Sequence, residues 1–145
     1  MELRIKKLNS SAVIPSYGSA SAAGADLYAC EGAEVTIQPG ETKLIHTGIA
    51  MEIPEGYVGL VYARSGIAVK RGLAPANKVG VIDSDYRGEI MVAIHNHSGE
   101  EQTIADAERI AQIVITPYLT VDFTLAEELD ETDRGVGGFG STGTK

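Results

Sequence analysis

The chain has 145 residues and carries 20 acidic against 12 basic side chains, for a formal net charge of −8. That balance excludes a surface that grips a nucleic-acid backbone with clustered Lys and Arg, and no apolar run is long enough to cross a bilayer. The length suits one core. The start Met1-Glu2-Leu3-Arg4 lacks the apolar stretch of a secretory leader, and the single Cys30 permits no internal disulfide, so a cytoplasmic, reducing location is expected.

The pattern along the chain is β throughout. In Ala22-Ala23-Gly24-Ala25-Asp26-Leu27-Tyr28 an acid stands among small residues, which suits either a strand-edge turn or close approach by a ligand or a metal-bound water. Ile45, Thr47, Ile49, Met51 and Ile53 alternate strictly and predict one buried face. Short β-branched runs follow at Val58–Tyr62, Val79–Ile82, Ile90–Ile94 and Ile110–Ile115, separated by turn signals at Gln38-Pro39-Gly40-Glu41, Pro54-Glu55-Gly56, Asp85-Tyr86-Arg87-Gly88 and Ser98-Gly99-Glu100. Many short strands at near-regular spacing predict an all-β sandwich, jelly roll or distorted barrel. One short helix is expected over Ser65–Arg71, with Ser65 as its N-cap and Gly72 as its stop.

Several segments carry polar groups where packing alone does not ask for them. Ala63-Arg64-Ser65-Gly66 offers a planar guanidinium and donors that match phosphate, or else an N-cap beside a surface Arg. Gly80-Val81-Ile82-Asp83-Ser84-Asp85-Tyr86-Arg87-Gly88-Glu89-Ile90 reads as a hairpin. On one reading Asp83 and Asp85 are turn residues and Gly88 supplies a positive φ; on the other Asp83 sits at the mouth of an apolar arm, where partial desolvation suits a general base. Tyr86 could offer a ring face to a sugar. In Glu108-Arg109-Ile110-Ala111-Gln112, a period of two puts Arg109 and Gln112 on opposite faces, leaving one of them a structural role. His95 and His97 share a strand face but have no third metal ligand nearby, and His46 is uninformative.

Beyond Phe123 the composition changes. Glu127, Glu128, Asp130, Glu131 and Asp133 precede Arg134-Gly135-Val136-Gly137-Gly138-Phe139-Gly140-Ser141-Thr142-Gly143. The spacing of Gly135 and Gly140 is that of a phosphate-binding P-loop, but Ser141 replaces the Lys and too few residues remain for the helix such a loop opens. The expected division is a β domain over 1–125 and, over 126–145, an acidic linker and mobile flap that closes on a polyphosphate held elsewhere.

Taken in order, these five segments resemble the five motifs of the trimeric dUTP diphosphatases (dUTPases), across nearly the whole chain. The resemblance implies a jelly roll assembled as a homotrimer with shared active sites, and hydrolysis of dUTP to dUMP and pyrophosphate. It implies that Asp83 activates the attacking water and that uracil is read by backbone near Val81, Ile82 and Met91, with Asn77 preceding. It implies that Tyr86 packs under the deoxyribose and excludes a 2′-hydroxyl. Arg64, Ser65, Gly66 and Gln112 would hold phosphates, and Asp26 would hold Mg2+ through water. In the tail, Phe139 would stack on uracil, while Arg134, Gly140, Ser141 and Thr142 would close on the phosphates. Val79 and Ala107 depart from residues common in the family without removing a chemical group. The alternatives are a dCTP deaminase of the same fold, which carries an acid where Ala93 stands, and a non-catalytic nucleotide sensor.

Overall fold

The computed structural model describes residues 1–138. Twelve strands and one helix follow in chain order: β1 (Arg4–Lys7), β2 (Ser16–Tyr17), β3 (Ala25–Tyr28), β4 (Val35–Ile37), β5 (Thr42–His46), β6 (Ile49–Glu52), β7 (Tyr57–Tyr62), α1 (Ser65–Arg71), β8 (Leu73–Pro75), β9 (Gly80–Ile82), β10 (Met91–Asn96), β11 (Gln102–Ile104) and β12 (Arg109–Pro117). All pair antiparallel. A five-stranded sheet in the order β2-β3-β12-β7-β9 faces a three-stranded one, β5-β10-β8, with the ribbons β1-β6 and β4-β11 completing a distorted jelly roll that does not close as a barrel. One apolar core lies between them, built mainly of Ile37, Ile45, Ile49, Ile53, Ile90, Ile94, Ile104 and Ile110 with Leu27 and Leu73. The weight on isoleucine fits the fold, since a β-branched side chain packs well on a pleated surface.

The alternating run Ile45 to Ile53 is buried at every expected position. It is not one strand, however. The chain turns at Gly48 (φ +67°), so β5 joins the three-stranded sheet and β6 pairs with β1. A change of sheet that keeps the inward face leaves the hydrophobic alternation intact. Helix α1 stands where its pattern puts it and ends at Gly72 in the left-handed region, but its N-cap is Arg64 rather than Ser65, with no side-chain cap bond.

The segment after Val79 also differs from expectation. β9 and β10 do not pair with each other and form no hairpin: β9 is an edge strand on β7, whereas β10 lies between β5 and β8 in the other sheet. The six residues of β10 alternate half-buried and buried, a face that both of its neighbours complete. The intervening residues 83–90 therefore bridge two sheets, and this carries Asp83 and Tyr86 to the surface between them.

Over residues 118–138 the chain forms no strand or helix. Leu119, Val121, Phe123 and Leu125 alternate with polar residues and are largely exposed, Phe123 by 96% and Leu125 by 98%. No helix among the described residues is long and apolar enough to cross a membrane.

Candidate functional site

Asp26 is the centre of the first cleft. It lies within β3, not in a turn, and is 8% exposed. A buried carboxylate needs partners, and two cations supply them. Arg64 Nε donates to Oδ1 at 2.6 Å and Arg109 Nη1 to Oδ2 at 3.2 Å. Arg64 also donates from Nη1 to the Arg109 carbonyl at 3.5 Å. Each guanidinium is thus fixed along one edge and keeps further N–H groups for a ligand.

Gln112 closes the cleft. Its amide donates to the Ala63 carbonyl at 2.9 Å, which ties β12 to the strand end that leads into Arg64. Its side chain presses so closely on Gly24 that a Cβ there would collide with the amide oxygen. Gly24 is required by that approach. Together with Ser65 and Gly66, exposed on the first turn of α1, these residues line a cleft of about 200 Å³. A Cβ at Gly66 would meet nothing among the described residues, so the space beside it is open to them.

Arg109 and Gln112 face the same cleft, contrary to the simple period-of-two expectation. The register of β12 on β3 shifts between Arg109 and Ala111, and Ile110 and Ala111 are both fully buried. This is a β-bulge, which resets the alternation and re-aims a side chain. The signal was present in the sequence as two successive apolar residues between two polar ones.

A second cleft, of about 210 Å³, is lined by Leu44, Val81, Ile82, Asp83, Tyr86, Glu89 and Met91. Tyr86 donates its hydroxyl to the Glu89 carbonyl at 2.9 Å and lies over Gly88, where a Cβ would run into the phenol ring. Gly88 does not adopt positive φ; close packing, not backbone freedom, demands it. Asp83 is exposed in the single chain rather than partly desolvated. Any shielding of its carboxylate has to come from a ligand or another copy.

Glu89 was missed as a site residue. Its Oε2 accepts from His46 Nδ1 at 2.9 Å and its Oε1 from the Gly48 N–H at 2.8 Å. Burial pushes Glu89 up, but the bonds from His46 and from the Gly48 and Thr47 backbone outweigh it and hold the carboxyl below its ordinary value. The same bond raises His46, with help from the charges of Glu89 and Glu31.

The two clefts share no residue. Asp26, Arg64, Ser65, Gly66 and Gln112 meet in the first, and Val81, Ile82, Asp83, Tyr86 and Met91 in the second. Asn77 is exposed in a turn beside Gly80 and lines neither. Arg134 donates Nε to the Gly137 carbonyl at 2.7 Å within its own tail and also lines neither. Phe139, Gly140, Ser141 and Thr142 lie outside the described residues.

Residues 10–143 match the dUTPase family model. The chain belongs to the dUTPase family. It is 53% identical over 143 residues to the deoxyuridine 5'-triphosphate nucleotidohydrolase of Nautilia profundicola, covering 99% of both chains. Among solved structures, a mutant dUTPase of Staphylococcus bacteriophage 80alpha with dUpNHpp superposes with a TM-score of 0.89 at 30% identity, covering 99% of both. A mutant dUTPase of phage phi11 of S. aureus, whose structure describes coordination of a structural Mg(II) ion, gives 0.79 at 28% identity over 88% of this chain and 98% of that one. The deaminase alternative finds no support here: Ala93 stands in β10, whose sequence Met91-Val92-Ala93-Ile94-His95-Asn96 holds no carboxylate. His95 instead bonds Thr42 and stacks edge-on against His97, and no group of three metal-ligating side chains exists among the described residues.

Proposed function

We propose that this chain is a dUTP diphosphatase in which each active site is completed between copies of the chain. It hydrolyses dUTP to dUMP and pyrophosphate, which limits uracil incorporation into DNA and supplies dUMP for thymidylate synthesis. The observation that carries the reading is the separation of the two clefts. A single chain holds the phosphate-binding groups and the nucleoside-binding groups apart, so a homotrimer that brings one copy's first cleft against another's second supplies a whole site. The exposed row Leu119, Val121, Phe123 and Leu125 supports such an assembly, because nothing among the described residues covers it.

In this reading uracil sits against the backbone of Val81, Ile82 and Met91, with Asn77 at the entry, and the sugar lies on Tyr86. Asp83 accepts a proton from a water whose oxygen attacks the α-phosphorus. The bond from that phosphorus to the bridging oxygen breaks, and pyrophosphate leaves with the electron pair. Arg64, Arg109, Ser65, Gly66 and Gln112 orient the phosphate chain and spread its charge. The acidic linker and tail over 126–145 act as a mobile flap that brings Arg134, Phe139, Gly140, Ser141 and Thr142 over the bound nucleotide. A soluble cytoplasmic location fits this role.

Mg2+ fits the donor chemistry of the first cleft. The ion usually keeps several waters and is held by one or two carboxylates plus substrate phosphates, and Asp26, whose two oxygens each accept one guanidinium bond, keeps lone pairs at the cleft for a metal-bound water. Asp26 would hold it through water, and the bound ion would neutralise charge on the triphosphate. The deciding experiment measures pyrophosphate release from dUTP, dTTP, UTP and dCTP with and without Mg2+, and ammonia release from dCTP. Selective, Mg2+-stimulated turnover of dUTP is expected; ammonia from dCTP would overturn the reading.

A further inference from the structure

We propose that Glu89 is a positioning residue that sets the discrimination between 2′-deoxy and ribo substrates by fixing Tyr86 against the sugar. This rests on the second cleft being the nucleoside site. Tyr86 is exposed and spans a loop between two sheets, so its ring needs an anchor, and its hydroxyl has one partner, the Glu89 carbonyl. The residue that carries this carbonyl is anchored by its own side chain, which accepts from His46 Nδ1 and the Gly48 N–H. His46 ends β5 and Gly48 lies in the turn to β6, and this stretch is bound to the next residue as well: Ile90 N–H donates to the Ile49 carbonyl at 2.9 Å, and the Thr47 hydroxyl donates to the Ile90 carbonyl. Gly88 lets the ring lie flat on the loop. The chain of contacts runs from the β5–β6 turn through Glu89 to the phenol of Tyr86, which lines the second cleft.

Without the Glu89 side chain the peptide unit that carries the Glu89 carbonyl keeps its bond from Ile90 N–H to Ile49, but it loses its anchor on the Cα side and its orientation loosens. The expected lesion is therefore selective: the ring loosens, the 2′-hydroxyl is tolerated, and the phosphate half of the site is untouched.

The test compares wild type with Glu89→Ala, Glu89→Gln, His46→Ala and Tyr86→Ala in steady-state turnover of dUTP and UTP, with inorganic pyrophosphate inhibition as a control. Loss of one well-made anchoring bond corresponds to a factor of about 10. Glu89→Ala is expected to reduce the dUTP/UTP ratio of kcat/KM by about that factor, while the inhibition constant of pyrophosphate stays unchanged. Glu89→Gln can still accept from Gly48 and donate to a neutral His46, so it restores the ratio. His46→Ala shifts the ratio in the same direction by less. A ratio unchanged in Glu89→Ala but collapsed in Tyr86→Ala overturns the inference and leaves the nucleoside cleft standing. A ratio unchanged in both, with turnover retained, overturns the cleft assignment itself. If Glu89→Ala does not fold, His46→Ala decides: an unchanged ratio there overturns the inference.

Discussion

Arg109 Nη1 lies 3.2 Å from Asp26 Oδ2, although 83 positions separate the two residues in sequence. The bulge at Ile110 makes the contact possible, and Arg64 occupies the other carboxylate oxygen. Asp26 thereby holds two cations beside one another in a small cleft. Asp26→Ala removes the compensating charge and leaves both guanidiniums facing each other. The expected loss is about 2 kcal/mol, below the figure for a fully buried pair because the Arg109 side chain is 53% exposed. Urea unfolding checks it, and an undiminished midpoint would refute the role of Asp26 as the cleft's structural anion.

Asp83 touches no other side chain in the described hydrogen-bond network and is exposed, so its carboxylate does little for the fold. Asp83→Asn is expected to leave the melting temperature within a degree or so, since such surface changes stay within about 0.5 kcal/mol. Pyrophosphate release should be abolished while dUTP still binds, as calorimetry can show. Hydrolysis near the wild-type rate would remove Asp83 from the proton-accepting role.

The His46–Glu89 pair gives stability a defined pH window. The folded pKa of His46 is raised above 6.5, so its contribution is full below 6.5 and is lost as pH rises through the raised value. The folded pKa of Glu89 is lowered from 4.5, so its contribution is full above 4.5 and is lost as pH falls through the lowered value. The charged groups nearest His46 are Glu89 and Glu31, whose Oε1 accepts the His46 backbone N–H at 2.7 Å. Thermal melts of wild type and His46→Gln should therefore differ most between pH 4.5 and 6.5 and converge at alkaline pH. A difference that grows with rising pH would contradict the pairing.

Removing residues 134–145 takes away no strand and no core side chain among the described residues. The truncated protein should keep its oligomeric mass and its melting temperature. Its kcat/KM for dUTP should fall by more than about 100-fold if the tail supplies both a stacking ring and phosphate donors, since several kcal/mol of binding to the transition state would go with it. Equal kcat/KM in the two proteins would rule out a closing flap.

The residues that line the two clefts were legible in the sequence because they stand in short polar segments: Asp83 with Tyr86, Arg64 with Ser65, and Asp26 among small residues. The buried alternation from Ile45 to Ile53 was legible for the same reason. Facing directions were not. A period of two cannot report the bulge at Ile110, which depends on how β12 registers against β3. Nor could it report that β9 and β10 enter different sheets, because both read locally as apolar arms of one turn. Glu89 escaped notice because its partners, His46 and the Gly48 backbone, lie across a sheet change whose position only Gly48 marks.

The bulge on β12 also determines which kinds of genetic change this protein can absorb. A substitution at Ile110 or Ala111 alters packing but leaves Arg109 aimed into its cleft. Deleting one of the two residues is different in kind. It would restore ordinary pleating, leave the strand able to pair with β7, and turn the Arg109 side chain toward the opposite side of the sheet. Along this stretch the length of the strand, more than its composition, is the heritable quantity that keeps two arginines on one carboxylate.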